Sequence, residues 1–272
     1  VDGAYVNQHA STGGFLGGSS TLAFRCASSA QVALTATTGA LANLLVGSGC
    51  TVSVTNVVGG ASSVARTLDL DGFVSIASGG RLDATNDTIS LTGNWSNLGG
   101  TLTSTGSTVV LDGTGSQFVS QEVFQDLRVD KSAGTATALG SLSVQGTLNV
   151  ANGTLHLGNT LVHILSGAVT VASPTGTATL NTGTSQVTLL NNLTSGSGGS
   201  LVMAGSTVLY LADTSVVTLG GGITTSGDTP RITKNPAEFG GYDFEVTGGV
   251  VDVDGLIFEY ADGTRTANHF GF

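Results

Sequence analysis

Apolar and small polar residues alternate in short runs along almost the whole chain. Thr51-Val52-Ser53-Val54, Thr88-Ile89-Ser90-Leu91, Ser141-Leu142-Ser143-Val144, Thr147-Leu148-Asn149-Val150, Thr154-Leu155-His156-Leu157 and Ala168-Val169-Thr170-Val171 are examples. Each run puts two apolar side chains on one face of an extended segment and two small polar ones on the other. Each is bounded by Gly, Asn or Ser-Gly, where the backbone bends cheaply. A 3.6-residue apolar period is missing, so the pattern predicts strands and no helices.

A longer unit recurs as well. Ser20-Thr21-Leu22-Ala23-Phe24 matches Ser107-Thr108-Val109-Val110-Leu111 and Ser206-Thr207-Val208-Leu209-Tyr210, with Ser185-Gln186-Val187-Thr188-Leu189 as a partial copy. Ala42-Asn43-Leu44-Leu45-Val46 and Phe124-Gln125-Asp126-Leu127-Arg128-Val129 follow the first two copies. Two-residue Asn-Gly and Asp-Gly hairpin turns between strands are scarce, which disfavours an antiparallel sandwich or barrel. Stacked coils are the better account. The expected fold is all-β, a right-handed parallel β-helix (β-solenoid) with coils of roughly 20 residues, about ten of them. In such a stack Leu44, Val109, Leu111, Leu127, Leu148, Leu155, Val169 and Val208 point inward.

The organisation expected along the chain has three parts: a flexible arm over residues 1–18, a solenoid over 19–229 and a C-terminal cap or assembly segment over 230–272. The arm carries the apolar pair Phe15-Leu16 among glycines. The last segment holds seven of the chain's fifteen aromatic residues, Phe258, Tyr260, Phe270 and Phe272 among them, together with a run of acids.

The Ser-Thr-Val-x-Leu strands at 107 and 206, the Phe124-x-x-Leu127-x-Val129 segment and the Gly-Thr-Leu-x-Val/Leu strands at 146 and 153 resemble those of secreted bacterial β-solenoid surface proteins. These are the filamentous-haemagglutinin-like and autotransporter-passenger-like adhesins and fibres. The resemblance implies an extracellular adhesin, fibre or envelope coat and brings no catalytic residues with it.

Composition narrows the functional classes. Eighteen Asp and Glu against eight Lys and Arg give a net charge of −10, which leaves no basic groove for a nucleic acid. Forty-two glycines follow no every-third-residue rule, which excludes collagen. No run approaches eighteen apolar residues, so no membrane-inserted helix is expected. The sequence opens at Val1 without Met, a basic region or an apolar leader, and reads as a secreted product whose signal peptide has been removed. Cys26 and Cys50 are expected to form a disulfide between neighbouring coils. Two buried thiols are the alternative.

Candidate chemistry is sparse, and neither a catalytic group nor a cofactor is expected. Asp69, Asp71 and Asp83 are the nearest thing to paired carboxylates of a polysaccharide-acting enzyme. The Asp-x-Asp-Gly pairs Asp69/Asp71 and Asp252/Asp254 could hold calcium with backbone carbonyls, or simply enter turns. His156 and His163 have no metal-ligand neighbours and read as exposed strand positions. Trp95, the only tryptophan, could stack on a sugar ring or fill a corner. The expected function is a structural subunit that polymerises head to tail, with Phe15, Leu16, Phe258, Tyr260, Phe270 and Phe272 at the interface. An adhesin for extracellular glycans is the alternative, and a polysaccharide-acting enzyme a third.

Overall fold

The computed structural model describes residues 4–7, 21–25, 30–34, 41–55, 67–227, 229–237, 241–259 and 270–271, with the backbone alone at 4–7, 30–34, 55 and 270–271. The described residues are all-β, parallel throughout, and stacked as a β-solenoid of about nine turns with coils of about 22 residues. That is slightly fewer and longer coils than the spacing of the runs suggests, because corners such as Asp112–Ser116 and Ser173–Thr177 add residues between strands.

From Thr67 onward each coil contributes one strand, or one arm of a longer strand, to each of three faces. In one representative coil the first face takes Thr88–Leu91, the second Trp95–Asn97 and the third Thr101–Thr103. Parallel pairing then lines up equivalent side chains from coil to coil. On the first face the inward row runs Leu68, Ile89, Val109, Leu127, Leu148, Val169, Leu193, Val217 and Phe244. All of these are buried. The alternation of the sequence is therefore the alternation of core and surface, since successive strand residues point to opposite faces.

Two long strands turn the corner between the first and second faces without a break. These are Asp126–Ala138, of 13 residues, and Leu148–His156, of 9. They pair with each other along both faces, with register shifts near Asp130 where the chain bends. At other corners glycine is required by close approach. A Cβ on Gly221 would sit 1.6 Å from the Gly199 carbonyl oxygen.

Of the residues expected inward, Leu44, Val109, Leu111, Leu127, Leu148, Leu155 and Val169 are buried. Val208 is not. It lies on the outer side of Val208–Leu211, whose buried members are Leu209 and Leu211. The repeat copy at 206 is out of phase by one residue with the copy at 107, and a one-residue slip moves every side chain to the opposite face. The copies also stand on different faces, with Thr21–Phe24 on the second, Thr108–Leu111 on the first and Gln186–Leu189 on the third.

Ala4–Asn7, within the stretch expected as an arm, pairs in parallel with Gln31–Leu34. Phe15 and Leu16 lie outside the described residues. From Pro230 onward, Arg231–Lys234, Asp243–Val246, Val250–Asp252 and Ile257–Glu259 continue the three faces in turn. Phe258 is half buried in its own chain, with its ring edge-on to Phe244 at 5.2 Å. Phe270 is described by its backbone alone, paired with Phe244. Tyr260 and Phe272 lie outside the described residues.

Candidate functional site: a cleft at a break in the third face

The third face is two ladders, not one. Five strands end at Thr101–Thr103, and seven begin at Glu122–Phe124. Among the described residues Thr101–Thr103 pairs only with Arg81–Asp83, and Glu122–Phe124 only with Leu142–Val144. The other two faces pass this level without interruption, as the pairings Trp95↔Val119 and Val109↔Leu127 show.

The local cause is bulk and charge inside the coil. Trp95 takes the inward position that Val74 holds below it and Val119 above it. Its indole is buried and meets Phe124 edge-on at 5.4 Å and 66°. Phe124 must point inward, and the period of two carries Glu122 to the same side. Glu122 is thus a carboxylate in an apolar row, 7% exposed.

That carboxylate is held by three donors. Trp95 Nε1 and Asn97 Nδ2 donate to Glu122 Oε2 at 3.0 and 2.9 Å. The Val123 amide donates to Oε1 at 3.0 Å. The Glu122 and Val123 amides point to opposite edges of the strand, and the Glu122 amide already serves the Ser141 carbonyl of the next coil. Glu122 therefore stands in for the carbonyl that a continuous ladder would have offered to Val123.

A cleft of about 460 Å³ opens at the break. Glu122 lies on its floor; Asn97, Gln121, Ser141 and Ser143 add polar groups. Its rim is aliphatic, with Val123, Val162 and Ile164 exposed by 46, 51 and 43%. These exposed residues follow from an inverted strand. In Val162–Leu165 the buried members are His163 and Leu165, and Val162 and Ile164 face out.

His163 is therefore fully buried, which corrects the expectation of an exposed strand position. The register Ser143↔Ile164 and Val187↔His163 fixes this phase, and His163 Nδ1 accepts the Leu142 amide at 3.1 Å. Burial pushes its pKa down to about 4, more than the Leu157 main chain pulls it up. His156 is on the outer side, where its Nδ1 accepts the Gly158 amide.

A second buried polar group lies at the corner between the first and second faces. Lys131 donates to the Gly113 carbonyl and, at 2.6 Å, to Gln117 Oε1. Gln117 Nε2 donates in turn to the Leu91 and Gly93 carbonyls. Burial holds the Lys131 pKa below its ordinary value against the pull of Asp112. This network satisfies Lys131 and Gln117 across a wide corner.

The residues singled out in the sequence are scattered. Asp69 is on the first face, and burial, then Asp112 and Asp71, raise its pKa. Asp83, on the third face, accepts from Thr85 and pairs with Arg81 at 3.8 Å. Asp252 and Asp254 are exposed, far along the chain on the second face and its corner. Among the described residues no three acids, histidines or cysteines are grouped to hold a metal. Trp95 fills the core, and its ring faces are not available to a sugar. Cys50 is buried and is not a free thiol, whereas Cys26 lies outside the described residues. No known protein family, curated protein or solved structure matches this chain.

Glu122 and the cleft were missed in the sequence. The available signal was Glu122-Val123-Phe124 itself, since a strand that buries its Phe must bury the residue two before it.

Proposed function

We propose that this chain is a structural rod of an extracellular fibre or cell-surface coat, in which the solenoid is the mechanical element and copies associate end to end. The observation that carries the reading is the second-face strand Val250–Asp252. Val251 continues the inward row of Leu201 and Ile223, yet it is 41% exposed, and Val250 and Val253 beside it are exposed too. An apolar edge of this kind fits the stacked face of a second copy, and a head-to-tail contact that does not close gives a filament.

Secretion, taken from the resemblance of the repeats, belongs to the same reading, and so does a Cys26–Cys50 bridge. The two cysteines are 24 residues apart, close to the 22 that separate Thr21 from its partner Asn43. A loop of that size adds about 3 kcal/mol in the chain-entropy account. Labelling of the denatured, unreduced protein with a thiol reagent tests it; two reactive thiols would rule the bridge out.

Negative-stain microscopy and sedimentation of the purified chain test the assembly. Filaments that disappear in Val251→Asp support it, and a monomeric rod at high concentration removes it. A second reading, that the rod also displays a binding site, is favoured by the cleft on the third face.

A further inference from the structure

The cleft crosses the third face at the start of four successive strands, from Gly99-Gly100 through Glu122 and Ser141 to Val162. Paired strands lie about 4.8 Å apart, so the two steps from Glu122 to Val162 span roughly 10 Å and the unpaired step across the break widens the cleft further, room for at least three extended residues. Among the described residues no Lys, Arg or His lines it. The one charged group among the described residues that line it is the Glu122 carboxylate, held by three uncharged donors and paired with no cation. The rim beside it is aliphatic, and the nearby aromatic rings, Trp95 and Phe124, are buried.

We propose that this cleft docks an extended peptide segment of a partner protein by one lysine side chain, the ammonium on Glu122 and the methylene stem across Val162 and Ile164. The chemistry of the two halves is complementary. A lysine stem covers apolar surface while its head seeks a carboxylate. Glu122 keeps lone-pair capacity beyond its three donors, and a partly desolvated charge pair is stronger than one in open water. The net charge of −10 draws a basic segment toward the rod. An oligosaccharide fits less well, because sugars bind by stacking on exposed aromatic faces and this rim has none. The proposal goes beyond the rod reading and stands on different residues.

The test uses the full chain and an acetylated, amidated pentapeptide with a central lysine between valines. Binding is read by calorimetry and by emission of Trp95, the only tryptophan. Saturable binding is expected, weakened at least tenfold when norleucine replaces the lysine and at least tenfold in Glu122→Gln. The double variant Val162→Ser/Ile164→Ser alters only outward side chains and should weaken it at least threefold. Should Glu122→Gln fail to fold, this double variant decides the matter. No saturable binding, equal binding of the norleucine peptide, or unchanged binding by the double variant overturns the proposal. So does binding of an amino-sugar tetramer in place of the peptide.

Discussion

The coils between Leu193 and Leu219 and those between Trp95 and Leu165 are built on the same three faces, yet they use their alternation differently. In the first set Leu193, Leu201, Met203, Leu209, Leu211, Val217 and Leu219 fill the interior, and Thr194, Ser200 and Thr218 face out. In the second set Gln117, Glu122, Lys131 and His163 are buried, and Phe118, Val123, Val162 and Ile164 are exposed. The regular coils bury aliphatic rows with only small hydroxyls, Ser195, Thr207 and Ser215, among them. The irregular coils keep the fold while inverting polarity, and they do so where one ladder is broken and a cleft opens. Buried polar groups are costly unless hydrogen-bonded, and each of these recruits partners from a neighbouring coil, although His163 is bonded through Nδ1 alone.

The largest effect should come from breaking a regular row. Leu127→Asp places a carboxylate between Val109 and Leu148, with no donor built for it. A loss of about 5 kcal/mol or more is expected, seen as a fall in Tm or as failure to fold. A variant as heat-stable as the parent would show that the row is not the core. Next is the wedge itself. Trp95→Ala removes a buried ring and two partners, Phe124 and Glu122. About 4 kcal/mol should be lost in chemical denaturation, and a cost below 1 kcal/mol would mean that the coil closes without it.

The pH response separates the two regions more finely. His163 titrates near 6.5 when unfolded and about 4 when folded. As pH falls through that window the unfolded chain takes up a proton that the folded chain refuses, so stability falls with pH. The contribution present above about 6.5 is roughly 3 kcal/mol and is gone by about pH 4. Subtracting the pH profile of His163→Leu from that of the parent isolates it, and parallel profiles would refute it.

The smallest effect tests phase. Val208→Ser, on the outer side, should change stability by less than about 0.5 kcal/mol. The same change at the buried Leu209 should cost about 3 kcal/mol. Equal losses would mean that the strand is misphased.

These contrasts also explain what the sequence could and could not disclose. Alternation with glycine and asparagine at the bends is a direct consequence of stacking, so solenoid, strands and most of the inward rows were legible at positions such as Leu44, Leu127 and Val169. Phase was legible only where the inward residues were also the apolar ones. At Val208-Leu209-Tyr210-Leu211 both sides are apolar or aromatic, and at Val162-His163-Ile164-Leu165 the polar residue is the inward one. In both strands the pairing partners fix the phase, and those are twenty or more residues away. Glu122 was hidden for the same reason: only the assembled coil brings Trp95, Asn97 and its carboxylate together.

The two long strands that round a corner have a consequence for how the rod assembles from an unfolded chain. A solenoid adds coils one against the next, and its first pair is the slow step. Asp126–Ala138 and Leu148–His156 hydrogen-bond along two faces at once, so a pair of coils there gains more from its first encounter than a pair elsewhere. Growth is expected to start in the middle of the chain and zip outward in both directions, with the amides of these two strands the last to exchange with deuterated solvent.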